Sequence, residues 1–198
     1  MSSFSSDTRT RILEATWSLL ESQAKNVRMS DIAKAAGISR QALYLHFLNR
    51  AKLLVATTKH IDSVKDVDAR LAESRAATTG MERLDAFVTA WCNYIPEIYS
   101  VSVALRAMRA SDAEAAQAWD NRMQAVRQGC ASAVAELATD GMLNPDLSEN
   151  TATDLLWTLL SVENWERLVR ECGWKQAQYV SSMKSLTSSE LIMGNSKS

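Results

Sequence analysis

A chain of 198 residues that is 46% apolar and 23% charged has the balance of a globular protein with a sizeable core, and its net charge of −1 excludes a chain that is basic throughout. Six glycines and two prolines are too few to punctuate repeated strands, so the expected fold class is all-α. No run approaches the roughly 18 apolar residues of a membrane span, and the opening MSSFSSDTRTR has no apolar signal segment, which predicts a cytoplasmic protein without a membrane partner.

The charge is unevenly placed. Residues 1–60 hold nine Lys or Arg (Arg9, Arg11, Lys25, Arg28, Lys34, Arg40, Arg50, Lys52, Lys59) against four acids (Asp7, Glu14, Glu21, Asp31), and the remainder is acidic by six. A basic head on an acidic body suits a polyanion-binding unit with its own regulatory or assembly domain, although ordinary scatter of surface charge gives the same totals.

In chain order, Ile12, Leu13, Ala15, Trp17, Leu19 and Leu20 predict a first helix over 8–23, capped by Ser6 or Asp7, with Trp17 in the core. Ile32, Ala33, Ala36 and Ile38 predict a short second helix ended by Gly37. Ser39 then caps a third. Two short helices joined by a tight glycine-containing turn form a helix-turn-helix, whose second helix enters the major groove while the first braces it across the backbone. Alanines 33, 35 and 36 let the two axes approach. Ala42, Leu43 and Phe47 belong to the inward face of the third helix, leaving Arg40, Gln41, Tyr44 and His46 outward. Arg suits guanine O6/N7 and Gln suits adenine N6/N7, while Tyr and His suit phosphate oxygens. Two packed helices with no DNA role are the plainer reading of the same pattern.

The order RILEA, DIAKAAGIS, ALYLHF, LNRAKLL over residues 9–54 resembles the N-terminal domain of the tetracycline-repressor (TetR) family of bacterial transcription regulators. That resemblance implies a three-helix DNA-binding head, residues 1–54, and a helical body, residues 55–198, that dimerises and binds a small molecule. It implies that Arg40, Gln41 and Ala42 face bases, that Tyr44 and His46 hold phosphates, and that Arg50 holds another where Lys is more usual, with Ser39 at the head of the third helix also among the candidate DNA-binding residues. Two features depart from the family pattern. The glycine that often follows the first helix is missing around ESQAKN, and Arg28 stands where Thr or Ser usually caps the second helix. Ser30 is then the expected cap, and the Arg28 guanidinium is free to reach a phosphate.

The body reads as helices with brief breaks. Residues 50–73 form one long fourth helix, Gly80 and Pro96 punctuate the next segments, and a capping box at Ser111 and Glu114 opens a helix running to Gly141. MLNPDLS is the clearest loop, and a final helix pair breaks near Gly173, with NSKS frayed at the end. Leu155, Leu156, Trp157, Leu159, Leu160 and Val162 leave little polar face, so this pair is buried on more than one side. Either the same chain covers it, or a partner does, in a homodimer through residues 150–193; the family resemblance favours the partner.

Phe87, Trp91, Tyr94, Tyr99, Met108, Trp119 and Met123, with Trp157, Asn164 and Trp165, form an aromatic and Met-rich set with few charges. Plain core packing accounts for most of them; a ligand pocket for a flat or apolar effector is the alternative, with Phe87, Trp91, Tyr94, Met108, Trp119, Met123, Trp157 and Asn164 as its candidate lining. Cys92, Cys130 and Cys172 lie about forty residues apart, with neither disulfide nor C-x-x-C spacing, and read as three buried reduced thiols. With two histidines, His46 and His60, no catalytic set or metal cluster assembles from local motifs, so no catalytic residue, metal or cofactor is expected. The expected function is a ligand-responsive repressor of a double-stranded DNA operator. An architectural DNA-binding protein without effector and an all-α enzyme are the alternatives.

Overall fold

The structure, a computed structural model, describes residues 2–22 and 27–193, with side chains from residue 7 onward. The expected NSKS fraying and most of ESQAKN lie outside the described residues. Regular structure among the described residues is helical, apart from one antiparallel bridge between Leu143 and Ile192, and no helix there is long and apolar enough to cross a membrane. The chain packs as two compact units, residues 1–66 with 98–123, and residues 67–97 with 124–198. The first thus takes a body segment together with the head, and the helix after residue 50 runs through the functional division expected at 54.

The first unit contains α1 (Ser2–Glu21), α2 (Met29–Ala35), α3 (Arg40–His46) and α4 (Arg50–Val64), with the end of α7 (Gly80–Arg109) and the start of α8 (Ala113–Thr139). Ile12, Leu13 and Leu20 of α1 pack with Ile32, Leu43, Leu53, Leu54, Leu105 and Trp119 in one core. Trp17 is half-buried against that core and meets His60 edge-on. Helix α1 begins well before residue 8, so Asp7 lies inside it and does not cap it; no Gly or Pro interrupts the run from Ser2.

Helix α4 stops at Val64 instead of running to 73. Asp66 has φ +51°, a left-handed conformation that Asp tolerates better than most residues, and the chain restarts as α5 (Val67–Arg70) and α6 (Ala72–Ala76). The capping box expected at Ser111 is replaced by Asp112, whose Oδ1 accepts from the amides of Glu114 and Ala115, both at 3.0 Å. A carboxylate there also suits the positive end of α8.

The second unit adds α9 (Glu149–Leu159), α10 (Val162–Trp165) continuing as a π-helical turn over Glu166–Glu171, and α11 (Gln176–Leu191). Leu84, Val88, Ile95, Val134, Leu137, Leu156, Leu160, Tyr179 and Met183 fill its core. Leu156 and Leu160 are wholly buried within this one chain, so much of the apolar excess of the last helices is intramolecular. The expected continuous helix over that stretch also breaks at Leu160, where Ser161 accepts from the Asn164 amide at 3.2 Å and opens α10. The Leu160 carbonyl freed there accepts from Trp91 Nε1 at 2.8 Å. The loop after α8 turns at Gly141, φ +66°, and is tied to the end of α11 through Asn144 N–H to the Leu191 carbonyl at 2.8 Å.

Pro96 lies inside α7 without ending it. Lacking an N–H, it cannot donate to the carbonyl four residues back, which is that of Cys92. Gln176 supplies the donor instead, Nε2 to the Cys92 carbonyl at 2.9 Å, while its Oε1 accepts from Trp165 Nε1 at 2.8 Å. One amide therefore satisfies two buried groups. Gln176→Ala should lower the unfolding free energy by about 2 kcal/mol, because both partners lose their hydrogen bond out of easy reach of water; a urea midpoint equal to wild type would refute this account.

Candidate nucleic-acid interface

The turn between α2 and α3 is closed by backbone geometry. Ile38 N–H donates to the Ala33 carbonyl at 3.0 Å and Gly37 N–H to that of Lys34 at 3.2 Å, with Gly37 at φ +67°. This is a Schellman ending, which needs a residue without Cβ strain at the left-handed position. Ser39 Oγ then accepts from the Ala42 amide at 3.1 Å, as its place before α3 predicts. Ala33 and Ala36 are buried where α2 meets α3, whereas Ala35 is exposed. At the head of α2 the capping group is neither Ser30 nor the Arg28 side chain. Arg28 is the extended N-cap residue, and its own amide donates to Asp31 Oδ2 at 3.3 Å. Ser30 falls inside the helix, too late to cap it. The Arg28 side chain remains exposed.

On α3, Leu43 is buried and Phe47 closes its C-terminal end, so the opposite side is presented to solvent. Exposed there are Arg40, Gln41, Tyr44, Leu45 and, just beyond the helix, Leu48. Ala42 and His46 are half-buried at the margins of this stripe. Arg40 and Tyr44, one turn apart, interact: Nη2 is 3.5 Å from the phenol oxygen and the guanidinium carbon lies 5.7 Å from the ring centroid. That pairing limits the rotamers of both. Arg9 of α1 fixes the end of α3, lying 4.3 Å over the Phe47 ring and donating from Nη1 to the His46 carbonyl at 3.2 Å.

Arg50 is placed differently from the expectation. It is 9% exposed, donating from Nε to the Val27 carbonyl at 2.6 Å and from Nη2 to Met108 Sδ at 3.1 Å, and it is ion-paired with Asp112. A guanidinium engaged on three sides within the fold is not available to a phosphate. The polar residue at the start of α4 is turned inward because Asp112 offers it a counter-charge.

Sequence reasoning missed Leu45, Leu48 and Arg9. Leu45 follows from helical arithmetic, since positions 40, 41, 44 and 45 share one face, whereas Leu48 lies past the helix end at Phe47; their apolar character concealed both.

The aromatic and methionine set is divided. Met108, Trp119 and Met123 belong to the first unit, and Phe87, Trp91, Tyr94, Trp157 and Asn164 to the second. In the second unit Trp91 packs edge-on against Tyr94 with centroids 5.9 Å apart, and the Arg70 guanidinium lies 5.6 Å from the Tyr94 ring. Asn164 Nδ2 donates to the Thr158 carbonyl at 2.6 Å. Burial pushes the Cys92 and Cys130 thiols up to about 12, so both stay protonated and unreactive near neutral pH. Cys172 departs from the expectation of three buried thiols: it is exposed beside the turn at Gly173.

The described residues form a helical chain whose amino-terminal helix-turn-helix presents an exposed stripe on its second helix. Residues 12–57 match the family model of bacterial regulatory proteins, tetR family. Solved structures share the fold over most of the chain. One is a TetR-family transcriptional regulator from Rhodococcus sp., at 22% identity and TM-score 0.71 over 91% of this chain and 96% of that one. Another is a transcriptional regulator from Saccharomonospora viridis in complex with choline, at 20% identity and TM-score 0.74 over 96% and 100%. A third is FadR from Bacillus subtilis in complex with stearoyl-CoA, at 16% identity and TM-score 0.71 over 90% and 96%. No curated protein matches the chain.

Proposed function

We propose that this protein is a ligand-responsive transcription regulator of the cytoplasm, a repressor released from a palindromic operator by a small, largely apolar or aromatic effector. The observation that carries the reading is the exposed stripe of Arg40, Gln41 and Tyr44 on the second helix of a helix-turn-helix whose segment matches the tetR family model. Arg40 and Gln41 sit in the first turn of α3, the part of a recognition helix that contacts base edges, and Tyr44 lies one turn on with its hydroxyl proton free to meet a phosphate. Arg28 at the start of α2 is exposed and is assigned a phosphate contact from the bracing helix.

A small effector is supported by relatives of the same fold that hold choline and stearoyl-CoA. We place head and body at 1–54 and 55–198 and assign homodimerisation to residues 150–193, where Leu186 of α11 is a large apolar residue left exposed. A dimer would present two heads about 34 to 36 Å apart, one helical turn of DNA. To release operator, the effector must bind the DNA-incompetent arrangement more tightly; operator then weakens effector binding by the same factor.

The experiment is a set of binding isotherms on operator and random duplexes at several salt concentrations. Arg40→Ala and Gln41→Ala should each cost about 1 to 3 kcal/mol on operator and relax preference at one base pair, while Tyr44→Phe should weaken both duplexes alike. Equal losses on both duplexes for all three variants would overturn the assignment of roles.

A further inference from the structure

We propose that Leu45 reads a thymine 5-methyl group in each operator half-site; the inference rests on the DNA-binding reading of α3. Leu45 is 87% exposed and Leu48 80%, the two most exposed large apolar residues described. A single exposed leucine means little in itself. Its position carries the argument. Leu45 follows Tyr44 directly on the solvent face of α3, in line with Arg40 and Gln41, while Leu43 and Phe47 already fill the inward side. The fold makes no use of its side chain.

Among base-pair edges in the major groove, the thymine methyl is the apolar feature; the rest are hydrogen-bond donors and acceptors. A leucine pressed against guanine N7 and O6 or adenine N7 would strip their water and return no hydrogen bond. Against a methyl it removes apolar surface on both sides. The occupant is DNA in preference to a second copy of this face, because residues 1–60 have a surplus of five positive charges and Arg40 stands beside the patch, so two such faces repel while a polyanion is attracted. Leu48 lies past the end of α3, where the chain turns into α4, and is assigned no base.

The test uses the full chain and a duplex selected by it from a random pool, compared with the same duplex carrying deoxyuridine at each thymine of the half-sites in turn, which deletes only the methyl. For wild type, one position per half-site should lose about fourfold in affinity on substitution, the equivalent of one buried methyl group. For Leu45→Ala the thymine and deoxyuridine duplexes should bind equally at that position, at about the level of wild type on deoxyuridine. Leu48→Ala should keep the fourfold ratio. Since Leu45 is solvent-exposed and alanine is a good helix former, the variant should unfold at the wild-type midpoint. A wild-type ratio near one at every thymine, or a ratio that survives Leu45→Ala, overturns the inference while leaving DNA binding intact. Unchanged DNA affinity with weakened self-association would instead make the patch a contact between copies. A wild-type chain that selects no duplex would bring down the DNA-binding reading itself.

Discussion

Gly80→Ala is expected to destabilise the protein by about 3 kcal/mol, near the upper end for overpacking. A Cβ on Gly80 would lie 2.6 Å from the Leu137 backbone nitrogen and 2.7 Å from the Glu136 carbonyl carbon. Those atoms belong to α8, which cannot rotate aside as a side chain can, and the Gly80 amide is held at 2.6 Å from Asp140 Oδ2. The start of α7 would have to lift away, weakening that bond and the packing of Leu84 with it. Gly129 provides the comparison. Its added Cβ would meet two atoms of the Phe87 ring at 2.9 and 3.0 Å, and a ring can tilt. Alanine inside a helix also gains up to about 1 kcal/mol over glycine, so Gly129→Ala should be far milder. Urea denaturation of the two variants decides it: similar midpoints would show that the backbone approach at Gly80 is not a constraint.

Asp112→Ala should cost about 3 kcal/mol, for two separable reasons. It leaves the buried Arg50 guanidinium without its counter-charge, and it removes the acceptor that caps α8. The Asp112 side chain is 24% exposed, which reduces the charge contribution below that of a fully interior pair. Asp112→Asn retains an oxygen for the two amides and isolates the charge loss, about 2 kcal/mol. Unfolding free energies from urea titration would contradict this if both variants fell within about 0.5 kcal/mol of wild type. Because Arg50 faces inward, Asp112→Asn should leave the salt dependence of DNA binding unchanged at temperatures where the protein stays folded, since that slope counts phosphates neutralised.

Much of the head was legible in the sequence because its decisive signals are local. Gly37 and Ser39 carry the ending of one helix and the cap of the next within three positions, and each does in the structure what its chemistry prescribes. What escaped depends on partners distant in sequence or on ambiguous residue types. Arg50 reads as a surface cation until Asp112, sixty-two residues away, is brought beside it. Asp66 ends a helix without the usual Gly or Pro, and Leu160 and Ser161 interrupt another in a run that looks continuously apolar. Pro96 carries the opposite lesson, a breaker inside a helix that continues, with Gln176 supplying the donor that the Cys92 carbonyl lacks. Leucine at 45 invites a core assignment on composition, and only the helical register turns it outward.

The Pro96 and Gln176 arrangement also bears on how this chain can change over generations. A lineage that loses Gln176 while keeping Pro96 strands a carbonyl and an indole N–H at once. A lineage that first replaces Pro96 with a residue bearing an N–H restores the carbonyl's donor within α7, and position 176 then needs only to serve Trp165. The two positions are separated by a large part of the chain, yet the tolerated order of substitution runs from 96 to 176.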